Sequence, residues 1–263
     1  MKPILLTPFD LIIASSLVVL DAVVSVLLGL RLHKQILVAA ARCTIQLLLI
    51  GFLLRFVFAI DTPALTLGVI LVMVAIAGRE VAARPEKKLA RYGNQIAGLS
   101  AVALATFVTA IFALATALRP HPWYDARYAI PLAGIMLGNA LNAASLSLDA
   151  LLSGVMRERS AIEAQLALGT RFRDAMRPLI RASVRRGILP IINTMSAAGI
   201  VTLPGIMTGQ ILAGLDPVEA VKYQILLMFL LAGANGIAAV GAAYFAAARL
   251  TDSRERLRVD RLK

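Results

Sequence analysis

The chain has 263 residues, 59% of them hydrophobic and only 16% charged, with a formal net charge of +12. Apolar runs of about 20 residues recur along it, which excludes a single soluble core and means transmembrane helices. The positive charge would suggest nucleic acid on a soluble protein; here its placement points instead to anionic lipid and to one side of a bilayer.

The runs predict helices over 9–30, 35–57, 64–83, 95–118, 128–152, 187–213 and 223–248. The fold class is therefore all-α, a polytopic membrane protein of about seven transmembrane helices. No polar stretch remains for a second domain, so residues 1–263 read as one membrane domain. The first run is longer than a signal-peptide core and has no small-residue cleavage site, so it is expected to stay in the mature chain. A single cysteine, Cys43, excludes an intrachain disulfide.

Seven helices place the termini on opposite sides, and the basic residues choose which. The 1–2 turn, the 3–4 loop, the 5–6 loop and the C-terminal tail hold 21 of the 27 Lys and Arg residues. The opposite side holds Lys2, Arg55, Arg119, Arg127 and Lys222, while Arg42 lies within the second helix. The asymmetry predicts an outside N-terminus and a cytoplasmic C-terminus. On the outer side, His121, Pro122, Trp123 and Tyr124 read as an interfacial aromatic belt, with a substrate gate as the alternative. The tail after Arg249 reads as a solvated segment or one lying on anionic headgroups.

Charged residues in hydrocarbon need partners or water. Asp21 and Arg42 lie at matching depths on the first two helices, which a short turn makes antiparallel neighbours. They are expected to form an intramembrane ion pair, as a packing clasp rather than a transport group. In the fifth helix, Gly134 and Gly138 have the spacing of a close helix contact. Asn142, Ser145 and Asp149, with Asn139 beside them, form a polar stripe that faces either a neighbouring helix or a pathway. The sixth helix carries Asn193, Thr194, Thr202, Thr208 and Gln210 around Leu203-Pro204-Gly205, which is expected to break it. Broken helices line substrate sites in transporters; a kink made for packing is the alternative.

The cytoplasmic 5–6 loop reads as helix, glycine turn, helix. Ser160 and Glu163 have capping-box spacing. Ile162 and Leu166 share an apolar face, Gly169 ends the first helix and Thr170 caps the next. Phe172, Met176, Leu179 and Ile180 continue an apolar face among arginines, as on a membrane-surface helix.

The run Glu163-Ala164-Gln165-Leu166-Ala167-Leu168-Gly169 resembles the EAA-x-x-x-G loop of bacterial ABC-transporter permeases, with Gln165 in place of the third motif residue. The longer run from Leu203 through Gly205, Met207, Gly209, Pro217 and Lys222 to Ile225 resembles the FetB-type iron-export ABC permeases, a family with plant relatives linked to aluminium tolerance. Arg42, Gln46 and Leu47 fit as well, as does the run from Pro131 to Asn139. The resemblance covers nearly the whole chain. It implies a bacterial inner-membrane permease that exports iron or another metal species and is not itself an enzyme.

That family's permeases are driven by a separate ATPase subunit, and this chain has no phosphate-binding loop of its own. ATP and Mg would bind that subunit, and this chain would bind no cofactor. Two permease copies with two ATPase copies, embedded in lipid and without nucleic acid, are expected. Ile162, Glu163, Ala164, Leu166 and Gly169 would form the ATPase-docking element. Asn139, Asn142, Asn193, Met195, Pro204, Gly205, Met207 and Gln210 are the candidate pathway residues. Only His33, His121 and Cys43 supply imidazole or thiol groups, and none is paired at ligand spacing, so weak sites or a chelate suit this chain better than a tight bare-metal site. The alternative is an ATP-independent carrier or channel, for which Asp21 would be the one deep coupling carboxylate.

Overall fold

The computed structural model describes residues 7–60, 62–90, 93–118 and 125–262. The helices are α1 (Pro8–Leu27), α2 (His33–Ile60), α3 (Pro63–Ala83), α4 (Gly93–Phe112), α5 (Ala126–Arg157), α6 (Arg159–Ala167), α7 (Phe172–Ala197), α8 (Gly205–Leu212) and α9 (Pro217–Arg249). A π-helical segment, Ala113–Leu118, continues α4. Among the described residues β-pairing is confined to isolated bridges. Six helices, α1 to α5 and α9, are long and apolar enough to cross a membrane. His121, Pro122, Trp123 and Tyr124, together with Lys2, Arg91 and Arg119, lie outside the described residues.

The chain divides into two compact units, one holding α1 and α2 with residues 212–214 and the other holding the rest. In the first, Thr7 and Asp10 cap α1 reciprocally: the Thr7 amide donates to Asp10 Oδ2 at 2.7 Å, and the Asp10 amide to Thr7 Oγ1 at 3.4 Å. Pro8 occupies the first turn, where its missing N–H costs nothing. The two helices pack on each other across a short turn. Their other faces expose Ile12, Leu17, Val38, Leu48, Phe52 and Phe56. Apolar stripes of this extent would associate in water and are at home in lipid.

The second unit is a bundle around α9, which packs against α4, α5 and α7. Ala234, Ala238, Ala242 and Ala246 recur at i+4 on one face of α9, and all four are fully buried. Ala238, Ala242 and Ala246 share one continuous core with Ala101 and Ala105 of α4 and Ala140 and Ala144 of α5. Small side chains let the backbones approach closely, which is the available source of helix affinity where lipid is as apolar as the core. The contact of α5 with α7 is the tightest example. A Cβ on Gly187 would lie 2.6 Å from the Ala143 carbonyl oxygen. Ser147 Oγ donates to the Ala239 carbonyl at 2.9 Å and ties α5 to α9. The Gly134 and Gly138 spacing works only in part: a Cβ on Gly134 would meet Met73 at 3.2 Å, whereas one on Gly138 would meet nothing within 4 Å.

Three local expectations are corrected. The basic segment after Gly169 and the apolar segment after Gly187 are one unbroken helix, α7, which runs through Pro178 and Pro190. The expected single helix over 187–213 is instead the end of α7, a turn over 198–204, and α8. The break therefore begins at Ala198 rather than at Leu203. Finally, neither Ser160 nor Thr170 caps a helix. Glu158 ends α5 and starts α6 at once, so Ser160 lies inside the first turn, and Arg171 occupies the position before α7.

Candidate functional site

Helix α5 has 32 residues, which at 1.5 Å per residue is about 48 Å against a hydrocarbon core of about 30 Å. The helix is longer than that core, and α6 follows directly at its C-terminal end. Ile162 is 3% exposed and fastens α6 to the core, while Leu168 at the tip is 87% exposed. Glu163, Ala164 and Gly169 are exposed and Leu166 half-buried. Glu163 does not bond to a backbone amide at the helix start; its Oε1 accepts from the Arg159 side chain, Nε at 2.8 Å, one turn away. The helix closes with paired bonds, Gly169 N–H to the Leu166 carbonyl and Thr170 N–H to the Gln165 carbonyl. That closure needs a left-handed residue, and Gly169 supplies φ +86.

The first N–H groups of α7 then lack a local cap. The one at Phe172 donates to Glu255 Oε2, 2.8 Å away, from the C-terminal tail. This partnership was not legible beforehand. The tail is folded against the chain, with residues 253–256 still exposed. Asp252 accepts from the Arg254 and Arg256 amides at 3.0 and 3.1 Å and from Arg256 Nη2 at 2.7 Å. Those bonds, chiefly with the Arg256 side chain, hold the Asp252 carboxyl well below the usual carboxylate range. Arg258 holds Asp260 down in the same way. Beyond them, Leu262 bridges to Leu89, and the Ala90 amide donates to the Arg261 carbonyl at 2.6 Å. The turn at Gly169 and the tail flank a cleft of about 610 Å³ lined by Glu163, Leu166, Gly169, Arg171, Arg254 and Glu255.

A second, smaller cleft of about 380 Å³ lies against α5. Arg84, Asn142, Ser145, Asp149 and Pro190 line it. Arg84 Nη1 donates to Asn142 Oδ1 at 2.7 Å, and the Glu86 amide donates to Asp149 Oδ1 at 3.2 Å. Ser145 Oγ is buried and without a partner. The polar stripe of α5 bonds to the connection after α3 and lines this cleft.

The other candidate pathway residues are distributed. Asn139 donates to the Ile135 carbonyl of its own helix at 3.0 Å. Asn193 and Met195 are exposed near the end of α7; Gly205, Met207 and Gln210 lie on α8. Pro204 stands at the start of α8 and accepts from the Thr208 amide at 3.0 Å, so it removes no helical bond. The reversal is made by Gly199, at φ +85. Its amide donates to the Thr202 carbonyl at 2.9 Å, and the Val201 and Thr202 amides donate to the Ala197 carbonyl. Internal bonding is what lets non-helical backbone exist at membrane depth. Ile200 and Val201 at the turn are 91% and 79% exposed. Asp21 and Arg42 lie on α1 and α2, both exposed. Among the described residues no three His, Cys, Asp or Glu side chains gather into a set that could hold a metal ion.

Comparison with known proteins places these features in context. The model of an uncharacterised protein family, UPF0014, matches residues 8–251. A UPF0014 membrane protein of Synechocystis is 38% identical over 81% of this chain and 81% of its own. The "Probable iron export permease protein FetB" of Escherichia coli is 33% identical over 98% of this chain and 97% of its own. Arabidopsis thaliana "Protein ALUMINUM SENSITIVE 3" is 29% identical over 86% of this chain and 81% of its own. No solved structure matches.

Proposed function

This chain belongs to the UPF0014 family, and from that premise we propose that it is the membrane-spanning subunit of an ATP-driven exporter of iron or another metal species. ATP hydrolysis would fall to a separate ATPase chain, docking on α6 and its turn, so the chain itself would move solute rather than catalyse. The relative named as an iron export permease supports the cargo, and the multi-pass helical fold supports placement in a cytoplasmic membrane.

The observation that carries the reading is the unbroken course of α7. Its first residue abuts the exposed turn at Gly169, and its last, Ala197, meets the Gly199 reversal 26 residues later. At 1.5 Å per residue that is a rod of about 39 Å. A rigid element with a grip at one end and a non-helical turn at the other transmits displacement without a joint. Closure of two ATPase subunits would pull the turn and move the far end of α7. Two permease copies would complete the pathway between exposed faces, bringing Asn193, Met195, Met207 and Gln210 of each copy toward the other. The cargo would be held weakly or as a chelate, since the chain offers no strong metal-ligand set.

The test is affinity purification from the native membrane. A stoichiometric ATPase subunit is expected with the wild type and lost with Gly169→Trp or Glu163→Lys, both inserted normally. A chain that purifies alone and still moves solute in liposomes without ATP would establish the carrier reading instead.

A further inference from the structure

We propose that the folded C-terminal tail is part of the surface that receives the motor subunit, and that it fits an acidic segment of that subunit; the inference rests on the docking reading above. The tail is one wall of the cleft of about 610 Å³ whose other wall is the coupling turn, so any partner seated on the turn touches both.

The charges in the cleft select the partner's chemistry. Glu163 is neutralised by Arg159 and Asp252 by Arg256. Glu255 accepts from the Phe172 amide and keeps its single negative charge, which Arg171 and Arg254 together outweigh. Arg171 and Arg254 are exposed, and neither forms an ion pair with an acidic side chain of the described chain. The lip that remains available is cationic, and it complements carboxylates on the incoming segment.

The tail's conformation is built for this position. Glu255 has φ +54, a left-handed conformation that L side chains seldom adopt. It is held there because the Glu255 amide donates to the Asp252 carbonyl at 3.0 Å while the Asp252 side chain gathers the next amides. The result aims one carboxylate at the start of α7. Farther on, the tail pairs with Leu89 and Ala90, in the connection that also supplies Arg84 and Glu86 to the polar cleft of α5. The tail therefore joins the docking turn to the wall of that cleft, a second route for displacement beside α7.

The experiment compares the full chain with Arg171→Glu/Arg254→Glu and with Arg171→Lys/Arg254→Lys, each purified with its ATPase at low and high salt. The double reversal is expected to reduce recovered ATPase about tenfold with the permease's melting temperature unchanged, and the lysine pair to keep binding, as for rim charges that steer association. Equal recovery with the reversed and wild-type chains would overturn the inference while leaving the docking reading intact. A wild-type chain that captures no ATPase would remove both. Glu255→Ala, which removes the acceptor, provides a separate readout: the Phe172 amide should exchange hydrogen faster, and unchanged protection would overturn the clamp.

Discussion

Single residues decide two of the structure's tightest features. Gly187 lets α5 and α7 touch backbone to backbone, since a Cβ there would overlap the Ala143 carbonyl oxygen. Gly187→Val should lower thermal stability by about 1–3 kcal/mol, the usual cost of overpacking; melting of the purified protein in detergent checks this, and an unshifted melt would mean the helices can part freely. Asp252 organises the tail. Its carboxyl titrates below its unfolded value, so its contribution is present above the ordinary carboxylate range near pH 4 and is lost as pH falls through the depressed value. Tail protection in hydrogen exchange should therefore persist at pH 5 and fail only in stronger acid, whereas Asp252→Asn should loosen the tail at neutral pH. These two residues differed in legibility. A glycine in an apolar run advertises close packing, though not its partner. Asp252 hides in a run of alternating charge whose most economical reading is solvation, because its bonds are local and its apolar anchors, Leu257 and Leu262, are few.

At the scale of elements, the apolar runs located the spans well, since about 20 residues of hydrocarbon-compatible sequence leave little else to form. What they did not reveal was continuity. The change from arginine-rich to apolar sequence at Gly187 suggested two helices, yet α7 runs through that change and through Pro178 and Pro190, packed against α5 and α9. Conversely, Pro204 drew attention as the breaker although it sits where a helix begins and costs nothing there. The real breaker is Gly199, which Ile200 and Val201 disguise as part of an apolar run. Substitution should separate the two. Gly199→Val should reduce transport strongly, because a β-branched residue is strained at positive φ, whereas Pro204→Ala should leave expression unchanged and alter flux less. Equal flux defects would return the break to Pro204. For α1 and α2, Arg42→Ala should destabilise the helix pair and Asp21→Asn should partly rescue it; strict additivity of the two substitutions would mean the side chains do not interact.

For the whole molecule, the charge asymmetry predicts an outside N-terminus and a C-terminal tail on the cytoplasmic side. A cysteine placed at Ser253 in a Cys43→Ser background should react with an impermeant thiol reagent only after the membrane is opened; labelling of intact cells would invert the topology. Membership of the family was written across most of the chain, from the Arg42 and Asn139 regions to the run ending at Ile225. The cleft at the Gly169 turn was not, because one of its walls comes from a tail whose Glu255 lies 83 residues from the Phe172 amide it holds.

If α7 couples a separate motor to transport, flux depends on ATP. Inside-out vesicles containing the chain and its co-purified ATPase should accumulate iron when given ATP and Mg, and should fail with Gly169→Trp. Accumulation that is equal without ATP, or that survives Gly169→Trp undiminished, would contradict the account.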